Sequence, residues 1–297
     1  MPCVVTLGSV RLSIPLGLGW LRGHQAGQEW LKRLPELVGE CAENWALGIG
    51  EPFPYAFASI AVQATRFDGS EAVLKIQFPG RESEHEAAAL VHWDGDGAVR
   101  LLAHDPGRHA LLLERCKPGT PLSELSSDDA LDVMVGILPR LWKPAGAPFR
   151  SLYEEAAWWA ERLPTQWERD GRPFERRLLD AALEVLDALP RSQGEHVLLH
   201  QDLHADNVLR ARREPWLVID PKPLVGEREF GIGALVRGGE LGSGRDRARR
   251  RLARLSSELS LDPDRARGWV LAQTLAWASD EDGVDPGQVE VARWFIA

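Results

Sequence analysis

Residues Val197–Arg210 read VLLHQDLHADNVLR. Two short apolar runs, Val197–Leu199 and Val208–Leu209, have the β-branched and aliphatic character of buried strands. Between them lies the densest polar cluster of the chain, His200-Gln201-Asp202-Leu203-His204-Ala205-Asp206-Asn207. Polar side chains between buried strands must bind something or satisfy backbone groups at considerable cost. Asp220 follows at the end of another apolar run, Trp216–Ile219, and strand ends and loops are where scaffolds present catalytic groups.

Two chemistries can use this set. Phosphoryl transfer needs a carboxylate that orients or accepts the proton of an attacking hydroxyl, and oxygen ligands that hold Mg²⁺ against a triphosphate. The kinase catalytic loop places the Mg²⁺-binding Asn five residues after the Asp, the spacing of Asp202 and Asn207. On this reading Asp202 is the catalytic base, Asn207 and Asp220 bind the metal, and His200 anchors the loop. The alternative is a metallohydrolase that uses His200, Asp202, His204 and Asp206 as ligands, a donor set suited to transition metals. That reading needs an extended strand to bring the four to one face, and no second His cluster exists downstream. An ordinary polar turn with a core histidine is the plain structural alternative.

Working outward, the residues before the cluster separate into two compositional halves. Trp30–Ala46 has helical apolar spacing at Trp30, Leu34, Leu37, Val38, Cys41 and Trp45. A Pro/Gly-rich segment follows, then two β-rich runs, Ser59–Phe67 and Glu71–Phe78, joined by the hairpin signal Asp68-Gly69. A helix is expected over Glu82–Trp93. A second hairpin is expected from Ala98–Ala103 and His109–Cys116, with Pro106-Gly107 at its turn. After Lys117-Pro118-Gly119 the pattern turns helical: Asp128–Trp142, Leu152–Trp167, Phe174–Leu189, Arg228–Leu241, Arg245–Leu259, Pro263–Ser279 and Pro286–Ile296. Strands first and helices later is an α+β order. The expected organisation is an ATP-binding lobe over 1–116, with its N-terminal helix, and a catalytic and acceptor-binding lobe over 117–297.

The front half supplies what a kinase also requires. Of 35 basic residues only five are lysine. One of them, Lys75, sits inside the apolar run Ala72-Val73-Leu74-Lys75-Ile76, where a strand lysine would contact nucleotide phosphates. A Glu on the next helix must hold it. Among Glu82, Glu84 and Glu86, the last precedes Ala87-Ala88-Ala89-Leu90 and is expected to face the sheet. Gly48-Ile49-Gly50-Glu51-Pro52 matches no phosphate-binding glycine loop. If phosphates are covered here, the Tyr55–Ser59 turn does so with its amides and the Ser59 hydroxyl.

Bulk properties narrow the partners. A net charge of −9 over 297 residues argues against nucleic acid and suits a cationic or polyhydroxylated small molecule. The three cysteines, Cys3, Cys41 and Cys116, are too scattered for a disulfide framework or zinc site. With no leader pattern and no membrane-length apolar stretch, a cytoplasmic monomer is expected.

With these residues placed, the chain resembles the aminoglycoside phosphotransferase family, in its streptomycin 6-kinase and hydroxyurea phosphotransferase branch. The stretches that carry the resemblance are Ala72–Ile76, Trp93–Leu102, Leu111–Leu122, Leu199–Leu209 and Val218–Val225, in the family order. The resemblance implies a protein-kinase-like bilobal fold, ATP with Mg²⁺ as cofactors, and adenine paired to backbone around Glu114–Cys116. It implies an aminoglycoside such as streptomycin as acceptor, with hydroxyurea or an amino sugar as the alternative. Lys222, within the Asp-Pro-Lys stretch, would assist phosphate charge or pair with an acidic neighbour. The family loop commonly reads H-G-D-L-H-x-G-N; here Gln201 and Asp206 replace its glycines. A helix-borne Asp that often supports that loop is Gly231 here. Glu154, Glu155, Glu227 and Glu229 could meet a cationic acceptor, though solvated helix charges are the ordinary expectation for them, as packing is for Trp158 and Trp159. A nucleotide-binding pseudokinase would lack one of Lys75, Asp202, Asn207 or Asp220, and all four are present.

Overall fold

A computed structural model describes residues 3–7, 10–279 and 283–296, with the side chains of residues 3–7, 10 and 11 undescribed. The chain divides into two compact units, Met1–Lys117 and Pro118–Ala297.

The first unit is built on a five-stranded antiparallel sheet in the order β3-β4-β5-β7-β6. Its strands are β3 (Leu47–Pro52), β4 (Ser59–Arg66), β5 (Glu71–Gln77), β6 (Leu101–Asp105) and β7 (Ala110–Glu114). A short hairpin, β1 (Cys3–Leu7) and β2 (Val10–Ile14), and a 3₁₀ helix over Leu16–Gly23 precede α1 (Gln25–Asn44). The alternation of β4 and β5 directs Ile60, Val62, Ala64, Ala72, Leu74 and Ile76 to one face. There they form a single core with Trp30, Leu34, Leu37, Val38 and Cys41 of α1. The opposite face carries Ser59, Ala61, Lys75 and Gln77, through the register pairs Ser59–Gln77 and Ala61–Lys75.

Two expectations in this unit are corrected. Leu47–Pro52, read as a Pro/Gly segment, is edge strand β3, whose Leu47, Gly48 and Ile49 pair with Arg66, Thr65 and Ala64 of β4. Its Pro52 sits at a register shift, the place an edge strand tolerates proline. The helix expected from Glu82 begins at Glu86 as α2 (Glu86–Trp93). The Ser83 hydroxyl donates to Phe78 O (3.2 Å) and Gly80 O (3.1 Å), favouring a turn over a helix start.

The second unit is mainly helical: α3 (Ser127–Leu141), α4 (Leu152–Arg169), α5 (Arg176–Ala188), α6 (Gly233–Arg237), α7 (Arg245–Glu258), α8 (Pro263–Trp277) and α9 (Pro286–Arg293). Side-chain caps from Ser126, Ser151, Asp262 and Asp285 start α3, α4, α8 and α9. Short strands β8 (Arg150–Ser151), β12 (Leu224–Gly226) and β9 (Val197–Leu199) form one sheet; β10 (Val208–Arg210) and β11 (Trp216–Val218) form a hairpin. The helix expected over Arg228–Leu241 is shorter: a 3₁₀ turn over Arg228–Ile232, then α6, which stops at Gly238-Gly239. Cys41 and Cys116 are both buried and neither is in a disulfide. Among the described residues no helix is long and apolar enough to cross a membrane.

Candidate active site

In the first unit, Lys75 is 6% exposed and donates to both carboxylate oxygens of Glu86, at 2.7 and 2.6 Å. Glu86 opens α2 and is itself 2% exposed, whereas Glu84 lies beside His85 at 3.9 Å with most of its side chain in solvent. Gln77 Nε2 donates to Glu86 Oε2 at 2.7 Å. A buried ammonium thus meets a fully engaged carboxylate, the condition under which a buried charge is retained. Gln77 escaped the sequence reading, although strand alternation from Lys75 places it on the same face. Ser59, the first residue of β4, shares that face. At the end of β7 the Glu114 N–H donates to Arg100 O (2.9 Å), and the Glu114 carboxylate accepts the Arg100 N–H (3.0 Å).

In the second unit, the loop between β9 and β10 is not an extended strand. Gln201 has φ of +65°, in the left-handed region, and Ala205–Asn207 forms a 3₁₀ turn. His200, Asp202, His204 and Asp206 therefore do not alternate onto one face. Among the described residues, no group of three or more His, Cys, Asp or Glu side chains is placed to hold a metal ion. The metallohydrolase alternative loses its geometric premise.

His200 is buried and its Nε2 lies 2.9 Å from Ile219 O, joining the loop to the residue before Asp220. The His200 carbonyl accepts the N–H groups of Asp202 (2.8 Å) and Lys222 (3.0 Å). Burial pushes the imidazole down to about 4, against the raising pull of Ile219 O and the Asp202 and Asp220 carboxylates. Asn207, 8% exposed, donates its amide N–H to Asp202 O at 2.9 Å. That bond fixes which end of the amide is nitrogen and assigns Asn207 Oδ1 the acceptor role. Asp220, with φ of +58°, is the second non-glycine residue of the site in the left-handed region. Lys222 Nζ lies 3.1 Å from Asp202 Oδ2. Exposed Asp206 accepts a hydrogen bond from the Ser123 hydroxyl.

Four residues absent from the sequence reading converge here. Arg237, at the end of α6, lies 4.0 Å from Asp202 Oδ1. Gln273 and Trp277 of α8 contact Arg237, and Glu240 accepts the Ala205 N–H at 3.1 Å. No local signal marks them, because they lie far along the chain in segments whose pattern records only burial. Gly231 has a packing reason: a Cβ there would sit 2.9 Å from Trp142 Nε1 and 3.3 Å from Leu199 Cδ2. The Trp142 indole occupies the room that a side chain at this position would need.

The acidic residues considered for an acceptor are already engaged. Glu154 completes the capping box of α4 with Ser151. Glu155 is buried and pairs with Arg150 at 3.4 Å, and Glu227 is buried against Arg265 and the Trp269 indole. The latter two are not the solvated charges expected of glutamates. Burial pushes the Glu227 carboxyl up, in spite of those donors. Glu229 accepts the Asp262 N–H at 3.3 Å. Trp159 packs against Phe230 (6.1 Å between ring centroids) and Trp158 stacks under Arg162 (4.3 Å), so both have packing roles.

The comparison with known families decides between the readings. The family described as "Aminoglycoside/hydroxyurea antibiotic resistance kinase" matches residues 45–283. The chain belongs to this kinase family. It is 39% identical to streptomycin 6-kinase of Streptomyces griseus over 284 residues, covering 91% of this chain and 92% of that one. It is also 39% identical to hydroxyurea phosphotransferase of Kitasatospora aureofaciens over 283 residues, 91% of this chain and 80% of that one. Among solved structures, choline kinase LicA of Streptococcus pneumoniae aligns with TM-score 0.63 at 14% identity, covering 89% of this chain and 97% of that one. An aminoglycoside phosphotransferase in complex with ADP and hygromycin B aligns with TM-score 0.60 at 15% identity, covering 86% and 94%. The fold is therefore the α+β, protein-kinase-like fold of the antibiotic resistance kinases, and the chain is an O-phosphotransferase of that family.

Proposed function

We propose that this kinase transfers the γ-phosphoryl group of ATP to a hydroxyl of an aminoglycoside of the streptomycin type. The acceptor follows from the relatives: two streptomycin 6-kinases, from S. griseus and Streptomyces glaucescens, match over more than nine-tenths of the chain. ATP as donor agrees with the adenine nucleotides bound in structural neighbours. The observation that carries the mechanism is the 2.9 Å bond from Asn207 Nδ2 to Asp202 O, which couples the two key residues of the loop.

Asp202 accepts the hydrogen of the attacking hydroxyl and orients its oxygen toward the phosphorus. Lys75, held by Glu86, steadies the nucleotide phosphates, and Lys222 adds positive charge beside Asp202. Ser59 and the backbone of Glu114–Cys116 complete nucleotide binding in the first unit. Asn207 Oδ1 and the Asp220 carboxylate are hard oxygen donors. Two such protein ligands, with the remaining positions left to phosphates and water, suit Mg²⁺ rather than a softer metal. Bound with the nucleotide, Mg²⁺ would neutralise phosphate charge as it develops. Since phosphoryl transfer depends on positioning and charge stabilisation, the protein's own contribution is to hold these groups still.

The test is ADP release with streptomycin, other aminoglycosides, amino sugars and hydroxyurea as acceptors, for the natural chain and for Asp202→Ala. Streptomycin is expected to support the fastest turnover. Asp202→Ala should lower it by about 10³-fold or more, a loss typical of removing a group that acts as a unit with its neighbours, while ATP binding by calorimetry persists. Full turnover in Asp202→Ala would refute the assignment, and ATP binding without turnover on any acceptor would favour a pseudokinase.

A further inference from the structure

The side chain of Gln273 is fully buried in α8, yet both ends of its amide are engaged. Its Nε2 donates to Gln201 O at 3.1 Å, the carbonyl immediately before Asp202. Its Oε1 accepts from Arg237 Nη1 at 2.6 Å. One amide therefore ties the loop backbone to a guanidinium that faces the loop's carboxylate. Room for it is provided at Gly233, where a Cβ would lie 2.4 Å from Gln273 Oε1.

Arg237 itself is poorly placed to be a surface charge. Its side chain is 8% exposed, and burial pushes its pKa down to about 10, so it stays cationic at neutral pH. Its guanidinium stacks 4.4 Å from the ring centroid of Trp277, and Lys222 Nζ lies 5.0 Å from the same ring. The two cations divide the Asp202 carboxylate: Lys222 is 3.1 Å from Oδ2 and Arg237 is 4.0 Å from Oδ1. At 4.0 Å the guanidinium attracts Oδ1 without hydrogen-bonding it, so that oxygen keeps its lone pairs. The end of α6 is in turn caged by Arg251, which donates to Val236 O (2.8 Å), Gly238 O (2.7 Å) and Gly242 O (2.8 Å). Isolated buried cations are disfavoured by desolvation, and one held in this way beside the Asp202 and Glu240 carboxylates fits a positional role.

We propose that Arg237, fixed by Gln273 and Trp277, is a positioning residue for phosphoryl transfer: with Lys222 on Oδ2, it sets the Asp202 carboxylate so that Oδ1 receives the acceptor's hydroxyl hydrogen. The inference rests on Asp202 being the catalytic carboxylate.

A double-mutant cycle on the full chain tests it. Turnover, KM for ATP and KM for streptomycin are measured for Arg237→Met, Asp202→Asn and the double variant, with circular dichroism and thermal melting as folding controls. Misplacing a reacting group by an ångström can lower rate about 10²-fold, and that loss is expected in kcat for Arg237→Met, with both KM values changed less than about threefold. In the Asp202→Asn background the same substitution should cost less than about threefold, because its effect acts through the carboxylate. A full 10²-fold loss on top of Asp202→Asn, or a loss confined to KM, would overturn the positioning role alone. An unaffected Asp202→Asn would overturn the catalytic reading beneath it as well. Should Arg237→Met fail to fold, Arg237→Lys and Gln273→Met carry the same cycle. Each is expected to lower kcat about tenfold through Asp202, and the role is refuted if either behaves additively.

Discussion

The two units each secure a charged residue, but by opposite means. Lys75 sits in the middle strand of a five-stranded sheet and is met by Glu86, eleven residues on. Asp202 sits in an irregular loop and is flanked by Lys222, by Arg237 and by the residues that hold Arg237. A strand fixes its side-chain direction through the ladder, so a nearby helix can meet it with a single carboxylate. A loop with a left-handed residue has no such ladder, and must take its support from distant segments. The first arrangement is compact and brittle, and the second is distributed.

The brittle side should fail most severely. Glu86→Ala leaves Lys75 buried without its carboxylate, and breaking a buried pair in this way destabilises by about 3–5 kcal/mol. Urea unfolding would measure the loss. The double variant Lys75→Met/Glu86→Leu, which removes both charges, is expected to recover most of the stability and none of the ATP-dependent turnover. If it also recovered turnover, Lys75 would have no part in the reaction.

The same contrast explains what the sequence made legible. Asp68-Gly69 fixed a hairpin, the hairpin fixed which face Lys75 occupies, and the apolar residues after Glu86 distinguished it from Glu82 and Glu84. Each of these inferences spans a few residues and uses a period of two or about four. Asp202, Asn207 and Asp220 were visible for a related reason, because their spacing within one loop and the next strand is a local pattern. Arg237, Gln273 and Trp277 were not visible. Arg237 ends a helix of five residues, and Gln273 lies in a helix buried on nearly every side, where an apolar periodicity marks no particular face. The hairpin β1–β2 and edge strand β3 were missed because short edges tolerate glycine, proline and polar residues that read as loop.

The loop's own anchor gives the next largest effect. His200 is held neutral, with a pKa near 4 in the folded chain against an ordinary value of 6.5. Between those values the unfolded chain takes up a proton that the folded chain does not. Stability from this group is therefore intact at neutral pH and falls as pH drops from about 6.5 toward 4, at up to about 1.4 kcal/mol per pH unit. Unfolding free energies from urea titrations at pH 7 and pH 4.5 should differ by roughly 2 kcal/mol more in the natural chain than in His200→Gln. An equal pH slope in both would locate the acid sensitivity elsewhere and leave the loop no more pH-sensitive than the sheet.

A smaller effect is expected where the second unit departs from its family. Gly231→Ala would force the Trp142 indole or Leu199 to move, and overpacking of this kind costs about 1–3 kcal/mol. Thermal melting reads this directly. An unchanged melting temperature would mean that the Trp142 ring yields without loss, and that glycine is not required by its packing.

The smallest effect sharpens the comparison most. Gln201 holds a left-handed conformation that costs a non-glycine residue about 1–2 kcal/mol, and its Oε1 is buried without a hydrogen-bond partner. Gln201→Gly removes both penalties. Against that stand the backbone entropy of glycine, about 0.4–1 kcal/mol, and the cavity left by the side chain. The balance predicts a gain of about 1 kcal/mol in urea unfolding. The bond that ties this residue to Gln273 uses its backbone carbonyl, which glycine retains. Turnover should accordingly stay within about threefold of the natural chain, since the distributed support reaches the loop through its backbone and through Asp202. A large fall in turnover with stability preserved would place the Gln201 side chain among the groups that position Asp202, and would make the loop's own residues, rather than α6 and α8, the source of its order.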